Sequence, residues 1–317
     1  MSVFTTVNEH QLVEFLQQFD GGTLQSFEGI AAGIENTNYF VTTDRYALVL
    51  TLFEHHQPDE LGYFLNLMAY LAEHDIPTAH PMPTRSGAFL STLNGKPAAL
   101  VKRLTGRAVD APNATECRTV GEALGRFHQA SQGFGEFRTP DRALPWALEM
   151  RTVLAEHLSP ADRDLLDEEL ALQVQHPREH LPNGAIHGDL FRDNVLFSAG
   201  RLTGIIDLYY ACNDAFAYDL AVALNDWCRQ DDHRLNETLA HAMMQGYLAE
   251  RPLNPDEIHA LPLLLRAAAL RFWLSRMKDT CFPRPGELTF CKDPTEFHSL
   301  LMHHRQDTTA CQRWMTP

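Results

Sequence analysis

The segment "IHGDLFRDNVLF", Ile186 to Phe197, sets a histidine, two aspartates and an asparagine between two β-type apolar pieces. Ile186 and the run Val195-Leu196-Phe197 read as strand ends, so the polar residues between them occupy a tight loop. Loops held by strands are where catalytic groups concentrate. The spacing carries more than the composition. His187-Gly188-Asp189 is followed by four residues and then Asn194, and thirteen residues after Asn194 the apolar run Gly204-Ile205-Ile206 ends in Asp207.

Upstream, "NEHQLVEFLQQF" opens with Asn8 as a cap and continues at helical spacing. Residues 39–41 and 46–53 are β-rich runs with "TTDR" as the turn between them, preceded by a loop holding Gly29 and Gly33. "PDELGYFLNLMAYLAEHD" has strong helical periodicity, "IPTAHPMPTRSG" is a Pro-rich connector, and "AFLSTLNGKPAALVKRL" reads as two strands around Asn94-Gly95. After "TGRAVDAPN" the pattern turns largely helical. "ATECRTVGEALGRFHQAS" is one helix, and Ser159 and Pro160 mark the start of another. After the β interlude around the opening loop, further helices follow through "YDLAVALNDWC", "NETLAHAMMQGYLAE" and "LPLLLRAAALRFWLSRM". The expected architecture is α+β and bilobal: a small β-rich lobe over 1–103 and a larger, mainly helical lobe over 104–317. The hinge falls near 101–106, with a ligand cleft at the junction.

The formal net charge of −15 argues against a nucleic-acid surface, and an anionic substrate would need local cations or a metal. The six cysteines form no C-x-x-C pair and read as reduced thiols of a cytoplasmic protein. No signal peptide is seen. "LPLLLRAAALRFWL" carries Arg266 and Arg271, too short and too charged a stretch for a bilayer, so a buried amphipathic helix is expected and no membrane partner.

The pattern H-G-D-x₄-N with a later strand-end Asp follows the grammar of a kinase catalytic loop. There an Asp accepts the proton of the acceptor hydroxyl, an Asn holds one magnesium, and the later Asp holds magnesium bridging the phosphates. The stretch "IHGDLFRDNVLF…GIIDLYYACNDAFAYDLAVALNDWC" resembles the aminoglycoside phosphotransferase and choline kinase superfamily, and within it the homoserine kinases of that type. "GIAAGIENTNYFV", "GKPAALVKRLTG", "LGRFHQA" and "LRAAALRFWLSRM" share the resemblance, which spans nearly the whole chain. It implies a protein-kinase-like fold, ATP and Mg²⁺ as cofactors, and phosphorylation of the L-homoserine hydroxyl to O-phospho-L-homoserine, a step of threonine biosynthesis. Partners are then ATP and a small amino-acid-like alcohol. Choline, ethanolamine, methylthioribose and aminoglycosides are the alternative acceptors. A non-catalytic nucleotide-binding protein of kinase fold and a metallophosphoesterase are the competing classes, and the second lacks spaced histidine ligands; His55-His56 and His303-His304 look like surface.

By the same resemblance Asp189 is the base, and Asn194 and Asp207 are the magnesium ligands. The Lys102 carbonyl and Leu104 N–H hold adenine, and the loop from Gly29 to Asn38, with Gly33 and Asn36, covers the phosphates although it lacks G-x-G-x-x-G. Asp219 is a structural anchor, His187 a structural hydrogen-bonder and His128 a core histidine. The departures are as specific. Thr51 stands where protein kinases carry the strand lysine, Phe64 where the helix glutamate belongs, and Glu60 one turn earlier has no evident partner. The phosphates then rest on magnesium and backbone N–H groups, or on a cation from Lys96, Arg103 or Arg192. Asp207-Leu208-Tyr209 replaces Asp-Phe-Gly, so no phenylalanine flip is expected. For the acceptor, Arg271 or Arg266 is assigned to the carboxylate, Asn225 and Asp226 to the ammonium, and Trp227 to the pocket wall. Salt-bridged arginines and a packed Trp227 are the bland alternatives.

Overall fold

The computed structural model describes residues 4–30, 36–283 and 292–315. Gly33 lies outside the described residues. Two compact units emerge, Met1–Gly106 with Thr203–Ile206, and Arg107–Leu202 with Asp207–Pro317.

The first unit opens with α1 (Glu9–Leu16), started by a reciprocal cap in which the Asn8 side chain accepts from the Gln11 N–H and the Gln11 side chain from the Asn8 N–H, both at 2.9 Å. Then come β1 (Leu24–Gly29), β2 (Thr37–Thr43), β3 (Ala47–Leu52), α2 (Pro58–Glu73), β4 (Ser91–Leu93) and β5 (Lys96–Lys102). They form one antiparallel sheet of order β1-β2-β3-β5-β4. β1 is absent from the sequence reading because "LQSFEG" is mostly exposed and shows no apolar alternation. Asn94 (φ 52°) and Gly95 (φ 75°) both lie in the left-handed region, as the tight turn between β4 and β5 demands. Side chains alternate along β3. Leu48, Leu50 and Leu52 are fully buried in a core with Leu12, Phe15 and Leu16 of α1, and Val49 and Thr51 face the other way.

The second unit contains α3 (Ala114–Ser131), α4 (Leu144–Val153), α5 (Pro160–Gln175), β6 (Asn183–Ile186), β7 (Val195–Ser198) and the start of β8 (Arg201–Ile205). After a short 3₁₀ turn at Leu208–Tyr210 it continues with β9 (Cys212–Ala215), α6 (Phe216–Trp227), α7 (Glu237–Glu250), α8 (Pro255–Cys281), α9 (Thr295–Gln306) and α10 (Ala310–Met315). β6 pairs antiparallel with β9, which brings the loop after Ile186 beside the start of α6. α3 and α7 pack backbone to backbone. A Cβ on Gly121 would meet the Met243 carbonyl at 2.1 Å, and one on Gly246 would meet the Arg118 carbonyl at 2.1 Å.

The helix expected to be amphipathic is α8, and it differs. It runs 27 residues, about 40 Å at 1.5 Å per residue. From Leu261 to Arg276 it is buried almost all round. By length and composition it is the one helix among the described residues that passes for a membrane span, yet 67% of its apolar window is buried within the protein. A helix buried on nearly every face is a central core helix, here one that also carries Arg266, Arg271 and Arg276.

Candidate active site

The loop is held by its backbone. Gly188 adopts φ +74°, and a Cβ there would stand 2.9 Å from the Tyr210 carbonyl, so glycine is required between His187 and Asp189. Asp219, fully buried in the first turn of α6, accepts the His187 and Gly188 N–H groups, each at 2.8 Å. His128 Nε2 lies 3.0 Å from the same carboxylate. Because an ionised carboxylate only accepts, Nε2 carries the proton, and Nδ1 takes a bond from the Tyr247 hydroxyl at 2.8 Å. Tyr247 in turn accepts from Arg251 (3.0 Å), which pairs with the buried Glu257 (2.8 Å). Burial alone would raise the Asp219 pKa, but its bonds and the histidines around it hold it below the ordinary carboxylate range. Burial pushes His128 the other way, toward the neutral form, against the pull of Asp219.

The other end of α6 fastens the rest of the loop. Trp227 Nε1–H donates to the Leu190 carbonyl at 3.0 Å, and Asp226 accepts the Arg192 N–H (2.8 Å) and its Nε–H (3.2 Å). Between these anchors, Asn194 Nδ2 donates to the Asp189 carbonyl at 2.8 Å and reaches its carboxylate at 3.3 Å. The Asp189 carboxyl is ringed by protein and pushed up to about 8, first by burial and then by the charges of Asp207 and Asp193, against the lowering effect of Arg271. Asp207 is a non-glycine residue in the left-handed region (φ 62°, ψ 54°), a conformation costing on the order of 1–3 kcal/mol that clusters at functional sites. Its successor Leu208 is fully buried, filling the core where a motif phenylalanine would otherwise sit.

A strained aspartate, an Asp–Asn contact and a glycine locked beneath them describe a phosphotransferase loop. A family model described as the phosphotransferase enzyme family matches residues 26–253. The chain belongs to this family. Curated relatives include a homoserine kinase of Methylobacillus flagellatus, 46% identical over 303 residues, covering 96% of this chain and 95% of the relative. One of Caulobacter vibrioides is 43% identical, covering 96% and 98%, and one of Rhizobium meliloti 41%, covering 98% and 97%. Among solved structures, an amicoumacin kinase in complex with AMP-PNP and Ca²⁺ matches with a TM-score of 0.68 at 16% identity, covering 95% of this chain and 93% of that one. A spectinomycin phosphotransferase in complex with ADP and spectinomycin matches with a TM-score of 0.68 at 12% identity, covering 98% and 99%. At these identities the structures share the protein-kinase-like fold with this phosphotransferase.

Several residues assigned to the acceptor are committed elsewhere. Arg266 forms a two-pronged pair with the buried Glu169 (Nε to Oε2 3.1 Å), and Arg305 joins it, so Arg266 has no fork to offer a substrate. Asn225 is fully buried, donating to the Leu265 carbonyl and accepting from His304 Nε2 at 2.8 Å. Asp226 and Trp227 hold the loop backbone. The histidine pairs are split: His55 is exposed as expected, His56 is half-buried and packs edge-on between Phe53 and Phe64, and His304 is buried.

The substitute cations of the phosphotransferase are also spoken for. Lys96 pairs with Glu54 (3.3 Å), which Thr37 also holds at 2.7 Å. Arg103 stacks on Phe40, 3.7 Å from the ring centre, and Arg192 serves Asp226 and the Asp110 carbonyl. Glu60 does have a role: it accepts the Gln57 N–H at 3.1 Å at the start of α2. Thr51 donates to Asn38 Oδ1 across the strands at 2.8 Å, and the Asn36 side chain accepts the Glu54 N–H. Lys102 ends β5, and Leu104 lines a recess of about 390 Å³ with Ala47, Arg103, Thr105 and Gly106.

Proposed function

We infer that this phosphotransferase transfers the γ-phosphoryl group of ATP to the side-chain hydroxyl of L-homoserine, giving O-phospho-L-homoserine and ADP. The observation that carries the reading is the bonded Asp189–Asn194 pair beside the strained Asp207, in a chain whose curated homoserine-kinase relatives match it over nearly their whole length. Asp189 is the base that takes the hydroxyl proton, and the Asn194 amide bonded to it sets its direction. With Nδ2 turned to Asp189, Asn194 keeps its oxygen for a cation, and the exposed Asp207 supplies a carboxylate. Two hard oxygen donors suit Mg²⁺, which is held by one or two protein groups together with phosphate oxygens. Magnesium there supplies charge neutralisation to the transferring phosphoryl group.

In the first unit the nucleotide is read by backbone: adenine by the Lys102 carbonyl and Leu104 N–H beside the recess, phosphates by the segment from Gly29 to Asn38. The division into functional lobes over 1–103 and 104–317, with residues 101–106 between them, belongs to the same proposal. The test is a coupled ADP-release assay of the purified chain with MgATP against L-homoserine, choline, ethanolamine, methylthioribose and kanamycin, with phosphorus NMR of the product. O-Phospho-L-homoserine as the fastest product supports the reading. Faster turnover of any other acceptor sinks the substrate while leaving the kinase.

A further inference from the structure

Three arginines of the second unit are buried to the same degree, with 6–8% exposure: Arg251, Arg271 and Arg276. Two have a carboxylate in contact, Arg251 with Glu257 at 2.8 Å and Arg276 with Glu296 at 2.6 Å. Arg271 has no ion pair among the described residues. It donates from Nη1 to the Gly188 carbonyl and bonds the Tyr218 hydroxyl, and its Nε–H finds no partner. A buried guanidinium with no carboxylate in contact is costly, and the charge it feels from Asp189 acts without a direct ion pair.

A second arginine shares this condition. Arg142 donates to the Ser275 and Tyr210 hydroxyls and has no carboxylate partner among the described residues. Both guanidiniums lie against the Tyr210 ring, with Cζ at 5.3 Å for Arg142 and 5.8 Å for Arg271. Both line one cavity of about 20 Å³, enough for one water or one carboxylate oxygen. The acidic residues on its wall are already spent, Asp141 on Arg138 and Asp214 on Arg178, each at 2.6 Å. The Gly188 carbonyl that Arg271 holds belongs to the residue next to Asp189.

We propose that Arg142 and Arg271 together bind the carboxylate of the acceptor substrate, placing it one short carbon arm from Asp189. The proposal rests on the homoserine reading and adds the pair of residues that selects an amino acid over an amino alcohol. Two guanidinium donors fixed by hydroxyls and a backbone carbonyl are preorganised for a carboxylate. Binding then supplies the contacting carboxylate that neither guanidinium has among the described residues.

The experiment measures the L-homoserine KM, the ATP KM and inhibition by 3-aminopropan-1-ol, which has the same arm and ammonium without the carboxylate. Wild type is compared with Arg142→Gln, Arg142→Lys and Arg271→Lys. Arg142→Gln should raise the homoserine KM by about thirtyfold or more, as expected for loss of a charge-assisted bond. The ATP KM and the aminopropanol Ki should move less than about threefold, since neither molecule offers a carboxylate to this pocket. Arg142→Lys should recover part of the loss. If the homoserine KM and aminopropanol Ki shift together, or neither moves, the arginines are structural and the proposal is overturned. Should Arg271→Lys fail to fold, the half-buried Arg142 variants still decide. A wild-type enzyme inert toward L-homoserine overturns the proposed function and this pocket with it. An active wild type whose Arg142 variants keep the homoserine KM overturns the pocket alone.

Discussion

Under the proposed function the two units meet their chemical tasks in opposite ways. In the second, named side chains do everything: Asp219, Asp226 and Trp227, all on α6, grip the loop backbone at residues 187, 188, 190 and 192, and Asn194 aims Asp189. In the first, the positions where side chains would mark a nucleotide site are filled by Thr51, bonded to Asn38, and by the buried Phe64. Its candidate cations are tied to Glu54 and Phe40. A side-chain site leaves a spacing in the sequence; a backbone site leaves almost none. If this contrast is right, substitutions in the loop should be ruinous and those at the vacated kinase positions mild.

The largest effect should come from Asp189→Asn. In the proposed function Asp189 takes the proton of the acceptor hydroxyl, so kcat should fall about a hundredfold or more with ATP affinity nearly unchanged. Near-normal kcat would remove Asp189 as the base. Asp207→Ala should raise the magnesium concentration needed for half-maximal rate on the order of ten- to a hundredfold. Magnesium titrations that overlay wild type would end its assignment as a ligand.

Asp219→Ala tests the anchor apart from the chemistry. It leaves two loop N–H groups and the His128 Nε2–H unpartnered in the interior, which should cost about 3–5 kcal/mol of stability. Urea melts check this, and a loss below about 1 kcal/mol would mean that the loop holds itself.

How much of this was legible in the sequence follows from distance along the chain. Asp189, Asn194 and Asp207 stood out because their spacing is short and fixed. The true partners of Arg266, Asn225 and Trp227 are Glu169, Leu265 with His304, and Leu190, between 37 and 97 residues away, and no local pattern announces such pairs. Arg142 carried no signal at all, because a lone arginine ahead of a helix looks like any surface cation. The pair His303-His304 misled for a related reason: adjacent polar residues on a helix suggest solvent, yet successive positions point about 100° apart, and α9 turns His304 inward.

That buried histidine gives the contrast a pH signature. Burial first, and then His303 and Arg266, depress His304 to about 3 from an unfolded value near 6.5. The unfolded chain therefore binds the proton that the folded one refuses. Stability from this group is complete above pH 6.5 and falls as pH drops toward 3, by up to about 1.4 kcal/mol per unit. His128 is shifted in the same direction. His304→Gln should flatten the acid slope of stability between pH 6 and 5, and an unchanged slope would show that His304 is not the group responsible.

The smallest effect belongs to Thr51. Its hydroxyl bonds Asn38 between neighbouring strands, and it carries no charge for a phosphate. Thr51→Ala should cost about 0.5–1.5 kcal/mol of stability and leave the ATP KM within about threefold of wild type. Thr51→Lys, which restores the protein-kinase residue, should do worse. On α2 the matching position is the fully buried Phe64, Glu60 is spent on the helix start and Glu73, at the far end, lies against His80. An ammonium at the buried position 51 would stand unpaired and cost several kcal/mol. An ATP KM raised tenfold or more by Thr51→Ala, or lowered by Thr51→Lys, would mean that the first unit does hold phosphate through this side chain, and the contrast between the two units would fail.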